Sequence, residues 1–282
     1  SFTVWGVIGP VFVISTVGWY FFSGHLYMEN WNVNNLPFNE AATNSIAMTL
    51  WAFLGLESAA ANSDAVDNPE KNVPIAVLGG TLGAAVIYVL STNIMFGLVP
   101  ANDLVNSSAP FGLAFASMFT PTVGKIVMGL MVMSCFGSLL GWQFTIANVF
   151  KQSADEGLFP KLFSQITSKD APVVGMVTIT IVQSLLSLMT MSESLNQQFE
   201  VLVNLAVVTN IIPYLLSMAA IIVILKSAGR GGSELSGTTF IAFIGSLYSL
   251  YALYASGLEA MTYGSIVTFI GWTLYGFISD KF

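Results

Sequence analysis

Residues 74–99 read PIAVLGGTLGAAVIYVLSTNIMFGLV, a stretch without a single charged side chain. About 20 consecutive apolar residues are enough for an α-helix to cross the hydrocarbon core of a bilayer. The whole chain has the same character, because 55% of its 282 residues are hydrophobic and only 8% are charged. A soluble domain carries about a quarter of its residues as charged groups. The sequence therefore predicts an all-α, integral membrane protein.

Seven more windows of similar length and hydropathy lie on either side of this stretch. Together they predict a polytopic transmembrane helix bundle of about eight spans, joined by polar connections that hold most of the charge. The predicted spans are Phe2–Phe22, Ala42–Ala61, Pro74–Val99, Pro121–Phe150, Val173–Met191, Glu200–Leu225, Thr238–Ser256 and Glu259–Ser279.

The distribution of Lys and Arg predicts the orientation of these spans. Seven of the eight basic residues fall on alternate connections, and Lys125 at the start of the fourth span is the exception. Basic loops favour the cytoplasmic side of a membrane. We therefore expect the basic connections and the carboxy terminus to be cytoplasmic.

Several classes of function lack support in the composition. The eight Lys and Arg residues do not form a basic run, so the sequence does not predict a nucleic-acid binding surface. With one cysteine, Cys135, and one histidine, His25, the chain predicts neither a disulfide framework nor a clustered metal site. No nucleophile–base pair lies in or beside the spans, so an enzyme and a bound cofactor are not expected. An apolar run directly after Ser1, without an initiator Met, leads us to expect that the sequence begins inside a longer chain.

Glu57 is the acidic residue that falls well inside a predicted span, in the stretch Trp51-Ala-Phe-Leu-Gly55-Leu-Glu57-Ser58. An ionisable group in hydrocarbon costs several kcal/mol and usually serves transport. On an unbroken helix Trp51 and Glu57 would point about 120° apart. A break at Gly55 would let both side chains face one cavity, as in the discontinuous helices of many secondary transporters. The alternative is a protonated or snorkelling carboxyl near the helix end.

Three other side chains are candidates for a site that holds an organic cation. Trp142 lies deep in the fourth span and Tyr275 within the last, where their rings could make cation–π contacts or simply pack between helices. Asn204, in the sixth span, is either a hydrogen-bonding contact between helices or a ligand to substrate. Residues alone leave these alternatives open.

The segment Trp51–Ala61, with Asp67-Asn-Pro-Glu-Lys-Asn-Val-Pro-Ile-Ala76 after it, resembles the basic amino acid/polyamine antiporters. This is a branch of the amino acid–polyamine–organocation superfamily. The stretch Asp155-Glu-Gly-Leu-Phe-Pro160 and the pair Gly141-Trp142 are also similar to that branch. Long runs carry the likeness, which covers essentially the whole chain and is strongest to the members that exchange putrescine for ornithine.

The resemblance implies a LeuT-like fold of twelve helices, built from two inverted five-helix repeats and two extra helices. This chain, taken as a single transporter domain 1–282, would begin at the fifth helix and lack the first four. Residues 42–225 would form the complete second repeat, and residues 226–282 the two accessory helices.

The resemblance also implies roles for the candidate residues. Trp51 matches a tryptophan that closes over substrate, Glu57 a buried carboxylate for cation recognition or proton coupling, and Trp142 the more distal aromatic gate. Asn204 aligns with a polar position that contacts the substrate head group. Gly55, as the break between Trp51 and Glu57, and Tyr275, as a candidate ring in the site, rest on the residue argument above and not on the resemblance.

The function implied is an antiporter of the bacterial inner membrane that exchanges putrescine for ornithine by alternating access, with putrescine–proton symport as a second mode. Its partners would be these cations, protons and the lipid bilayer, and a homodimer is compatible with the resemblance. The alternatives are lysine–cadaverine or arginine–agmatine exchange and, in another class, a non-transport subunit of a proton-translocating complex.

Overall fold

The computed structural model describes residues 2–55, 58, 66–168, 170–189, 195–229 and 231–278. Within these ranges every regular element is a helix, as the composition predicts. In chain order the elements are α1 (Phe2–Phe21), α2 (Gly24–Asn30), α3 (Phe38–Trp51), α4 (Pro69–Leu98), α5 (Ala101–Asn106), α6 (Pro110–Met118), α7 (Pro121–Asp155), a 3-10 turn (Lys161–Ser164), α8 (Val173–Met189), α9 (Leu195–Ser227), α10 (Gly232–Ala255) and α11 (Gly257–Ile278).

A helix lies at each of the eight predicted spans, but not all of them have the length and hydropathy of a complete membrane crossing. By these criteria four described helices qualify: Pro69–Leu98, Pro121–Asp155, Gln197–Ser227 and Leu235–Ala255. A fifth is added if the pair Trp5–Phe21 and Gly24–Asn30, between which the chain bends by 115°, counts as one span. The described part of the second predicted span is short, because α3 ends at Trp51. The count of eight spans therefore stays a prediction.

The connections predicted as polar loops contain short helices. Residues 23–40 include α2, and residues 100–120 include α5 and α6. Pro110 is placed in the first turn of α6, where its missing N–H needs no partner. These connections therefore fold into helical elements of their own.

The described residues form two compact units. The first comprises Ser1–Leu36 and Leu56–Met189, and the second comprises Pro37–Gly55 and Thr190–Ile278, apart from the last four residues of the chain. The core of the first unit joins α1, α4, α6 and α7, whose buried side chains include Ile14, Ile94, Phe115 and Val127.

The helices α6 and α7 of the first unit touch through their backbones. A Cβ atom added at Gly124 would lie 2.4 Å from the carbonyl oxygen of Gly112 and 3.0 Å from the Cβ of Ala116. Glycine is therefore required for this close approach, because any side chain would overlap backbone atoms.

Asn30 holds the end of α4 in place. Its side chain, 8% exposed, donates through Nδ2 to the carbonyl oxygens of Phe96 (2.7 Å) and Val99 (2.9 Å) and accepts from the N–H of Ala101 at 2.8 Å. A helix end leaves carbonyl groups without partners inside the helix, and these must be satisfied before they can be buried. One side chain thus closes α4 and fixes the start of α5.

The second unit packs α3, α10 and α11 against α9. Its core contains Val203, Val207 and Ile211 of α9 with Ala252 of α10. A Cβ added at Gly264 of α11 would lie 2.3 Å from a methyl group of Val208, so α9 and α11 also approach closely. Cores of this kind are specified by apolar patterning, which the spans of this chain carry throughout.

Many threonine hydroxyls inside the helices bond to their own backbone, whereas the buried hydroxyls of Ser15 and Ser134 have no hydrogen-bond partner among the described residues. Thr16 donates to the carbonyl oxygen of Phe12 (2.7 Å), Thr81 to that of Val77 (2.7 Å), and Thr268 to that of Gly264 (2.8 Å). Each bond satisfies the hydroxyl proton without a partner from another helix. These threonine hydroxyls therefore sit in apolar helices at little free-energy cost.

Candidate functional site

The end of α3 is the place where the predicted break falls. After Trp51 the N–H groups of Phe53 and Leu54 bond to the carbonyl oxygens three residues earlier, at 3.0 and 3.1 Å, which tightens the last turn. Gly55 then adopts a φ of 92°, a conformation that residues with a side chain rarely take. The chain has therefore left helical geometry by Gly55. Glu57, which the sequence places next to this turn, lies outside the described residues.

Trp51 is held at the end of α3 by an aromatic contact. Its ring meets that of Phe199 edge to face, with centroids 5.0 Å apart and planes at 87°. Such pairs contribute about 0.5–1.5 kcal/mol beyond the area they bury. Trp51 is still 38% exposed, so one part of the indole is fixed while another part is free to meet a ligand.

Asn204 lines a cavity of about 320 Å³ within the second unit. This volume is at the lower end of the about 300–1,000 Å³ typical of small-molecule sites. The cavity lies between α9 and the turn that joins α10 to α11. Its lining residues are Val201, Asn204, Leu205, Ser256, Gly257, Leu258, Glu259, Ala260 and Tyr263.

Glu259 and Tyr263 are polar members of this cavity that the sequence interpretation missed. It placed Glu259 only at the start of the last predicted span, and the structure has this residue in the first turn of α11. The available signal was the spacing: residues four positions apart share one face of a helix. Sequence alone could not show that Asn204 of another helix faces the same cavity.

Trp142 and Tyr275 are each about two-fifths exposed, at 44% and 39%. Trp142 lies on α7 beside Gln143, whose buried amide donates to the hydroxyl of Thr180 (3.3 Å) and to Oε1 of Gln183 (3.1 Å) on α8. This polar network fixes the face of α7 next to Trp142. Tyr275 lies on α11, three turns beyond Tyr263, and does not line the cavity.

The predicted site residues are divided between the two units. Trp142 belongs to the first unit, whereas Trp51, Gly55, Asn204 and Tyr275 belong to the second. A substrate site that draws on all of them therefore stays a prediction. Among the described residues no group of three or more His, Cys, Asp or Glu side chains could hold a metal ion.

The long apolar helices and their self-satisfied polar groups define a polytopic helical membrane protein. Residues 1–277 match the family model of the amino acid permeases. The chain belongs to the amino acid permease family. This family is one of membrane transport proteins and not of enzymes.

The chain is similar over its full length to two bacterial transporters. It is 71% identical over 282 residues to the putrescine transporter PotE of Haemophilus influenzae and 67% identical over the same length to that of Escherichia coli. It is 29% identical over 221 residues, 77% of this chain, to the cadaverine/lysine antiporter of Escherichia coli, of which it covers 50%. The chain spans 65% and 64% of the length of the two putrescine transporters.

Proposed function

We propose that this chain forms part of a secondary transporter of the bacterial inner membrane that exchanges putrescine for ornithine by alternating access. The observation that carries the proposal is its 71% identity, over all 282 residues, to a putrescine transporter. The geometry at the end of α3 supports it, since the helix ends at Trp51 and the chain turns at Gly55, two residues before the acidic Glu57. In this proposal residues 42–225 are the second inverted repeat, and residues 226–282 are accessory helices.

The proposed roles follow from the chemistry of a diamine. Glu57 pairs with an ammonium group or carries a proton, and Trp51 closes over the bound substrate. Trp142 stacks along the methylene chain, where cation–π contacts supply about 0.5–2 kcal/mol each. Asn204 and Tyr275 offer further polar contacts. Exposed ring surface on Trp51 and Trp142 is available for this purpose.

The charges of the two substrates set the energetics of exchange. At neutral pH putrescine carries two positive charges and ornithine one, so one-for-one export of putrescine moves one net charge outward. Against an inside-negative potential this costs about 2.3 kcal/mol per 100 mV. The concentration gradients of the two substrates must therefore drive export. Putrescine uptake with a proton would instead run with the potential.

Counterflow in proteoliposomes tests the proposal. The protein is a chimaeric transporter, in which residues 1–282 replace the matching segment of the Haemophilus influenzae relative. We expect labelled putrescine to exchange with internal ornithine, Glu57→Gln to abolish exchange, and Trp51→Leu to reduce turnover more than stability. Glu40→Gln, an exposed carboxylate in the first turn of α3, is the matched control and should leave exchange unchanged.

Exchange at the normal rate in Glu57→Gln would contradict the assigned role of the carboxylate. Lysine–cadaverine exchange is the second candidate, supported by the more distant similarity of 29%. A competition panel against labelled putrescine separates the two. Unlabelled putrescine and ornithine should compete more strongly than cadaverine and lysine, and the reverse order would favour the second candidate.

A further inference from the structure

The cavity beside Asn204 has the chemistry of a cation site. Its polar side chains are the carboxylate of Glu259, the phenol of Tyr263, the amide of Asn204 and the hydroxyl of Ser256, and no Lys or Arg in the described part of the chain lines it. The Ser256 hydroxyl already donates to the carbonyl oxygen of Ala252 at 2.9 Å. An anion would meet a like charge in this cavity, whereas a cation would find a counter-charge there.

Two of these groups are placed to hold one ammonium group together. Glu259 and Tyr263 are four residues apart on α11, so they project from the same face of the helix into the cavity. The carboxylate can accept charge-assisted hydrogen bonds from a protonated amine. The ring of Tyr263 can add a cation–π contact, and its hydroxyl can accept a hydrogen bond.

The other wall of the cavity suits the carbon chain of an amine. Val201 and Leu205 of α9 and Leu258 of α11 present apolar surface beside the polar groups. Asn204 follows Val201 by three residues and therefore projects from the same face of α9. The amide oxygen of Asn204 can therefore accept a hydrogen bond from a second ammonium group, while apolar side chains line the methylenes.

We propose that this cavity is an accessory binding site for the protonated diamine, with Glu259 as its counter-charge. The ligand rests on the proposed function, since putrescine is the diamine that the similarity indicates. The cavity shares Asn204 with the predicted substrate site, but neither Trp51 nor Trp142 of the predicted gates lines it. It lies at the start of α11, next to the α10–α11 turn, so it captures amine on one side of the membrane before transport.

An acidic residue in the first turn of a helix also stabilises that helix through its dipole. The experiment must therefore separate ligand capture from a structural role of Glu259. Capture of a dication by one carboxylate depends on ionic strength, because salt screens such interactions. A contribution to helix stability would instead change the melting temperature without depending on the substrate.

The test compares Glu259→Gln and Tyr263→Leu in the chimaeric transporter, with Asp103→Asn as the matched control. Asp103 is an exposed carboxylate in the first turn of another helix, α5, outside the cavity. We expect Glu259→Gln to raise the KM for putrescine about threefold at low salt on one side of the membrane, with Vmax and melting temperature nearly unchanged. The difference from the unsubstituted transporter should shrink in high salt. Tyr263→Leu should show the same pattern to a lesser degree.

An unchanged KM in Glu259→Gln, an equal change in Asp103→Asn, or an effect of equal size on both sides of the membrane would overturn the proposal. A second readout keeps the result independent of transport. Equilibrium dialysis of the detergent-solubilised chimaera with labelled putrescine should show a weaker class of site that Glu259→Gln removes. If the unsubstituted chimaera transports no putrescine yet retains this class of site, the proposed function fails and the accessory site stands.

Discussion

The helices α4 and α3 are both apolar, but their carboxy-terminal ends are stabilised in two different ways. At the end of α4 the side chain of Asn30 satisfies two carbonyl groups and one N–H group. At the end of α3 the backbone tightens on itself, and Gly55 turns the chain with a φ of 92°. The first end is fixed by a partner that lies 66–71 residues away in the sequence. The bonds described at the second end join Phe53 to Leu50 and Leu54 to Trp51, and are therefore local to the turn.

Removing the side-chain hydrogen bonds of Asn30 at the end of α4 should have the largest effect on stability. Asn30→Ala leaves the carbonyl groups of Phe96 and Val99 and the N–H of Ala101 without this partner. Each buried polar group that loses its hydrogen-bond partner costs about 1–3 kcal/mol, and water offsets part of this cost. We therefore expect the free energy of unfolding to fall by about 3 kcal/mol. Unfolding of the chimaera by denaturant in detergent measures it.

Asn32→Ala is the control for this substitution. Asn32 also bonds to backbone through both ends of its amide, donating to the carbonyl oxygen of Leu36 (2.9 Å) and accepting from its N–H (3.0 Å), but these bonds are exposed. We expect the free energy of unfolding to fall by less than about 1 kcal/mol, since water replaces the partners of exposed hydrogen bonds. Equal losses in the two variants would mean that Asn30 is not a special joint.

Making the turn conformation of Gly55 energetically less favourable should affect transport more than stability. Gly55→Ala puts a side chain where φ is 92°, at a cost of about 1–2 kcal/mol. If the conformational cycle uses this turn, we expect about a tenfold fall in the exchange rate in proteoliposomes. Gly79→Ala, inside α4 where an added Cβ meets nothing within 4 Å, should leave exchange unchanged. A similar fall in both variants would remove the distinction between the two helix ends.

The smallest expected effect concerns the aromatic contact that holds Trp51. Phe199→Leu removes the edge-to-face partner 5.0 Å away, and with it about 0.5–1.5 kcal/mol. We expect about a threefold fall in turnover, measured by counterflow, because Trp51 then spends less time in the orientation seen here. Phe243→Leu, an exposed ring on α10, serves as the control. Turnover that falls only in Phe243→Leu would show that the Trp51 contact does not matter.

The helices α1 and α4 could be predicted from the sequence because long apolar windows indicate them. The window Phe2–Phe22 was predicted, and α1 covers Phe2–Phe21; the window Pro74–Val99 was predicted, and α4 covers Pro69–Leu98. The extra residues at the start of α4 are polar, so a hydropathy window omits them although Pro69 is well suited to open a helix. The short α2, α5 and α6 were missed because they contain 7, 6 and 9 residues, far fewer than a membrane span needs.

The joint at Asn30 and the cavity at Glu259 could not be predicted, because both depend on residues that are distant in the sequence. Nothing local distinguishes Asn30 from Asn32 or Asn34, yet Asn30 is the one whose amide closes α4. The turn at Gly55, by contrast, was predicted near its observed place, since a glycine between Trp51 and Glu57 is a local signal. The role of Glu57 stays a prediction.

The hydroxyl groups that bond back to their own helices determine what a mutational survey of this chain can find. A Thr placed in a span can donate its single hydroxyl proton to the preceding turn, as Thr16 and Thr268 do, so gaining or losing a Thr that makes this bond should change stability little. An added Asn has two amide protons, and one helix accommodates only part of that capacity. The excess must be met by a neighbouring helix, by water or by a ligand. The effect of a polar substitution in a span should therefore depend on how many hydrogen-bonding groups its own helix leaves without a partner, and not on polarity alone.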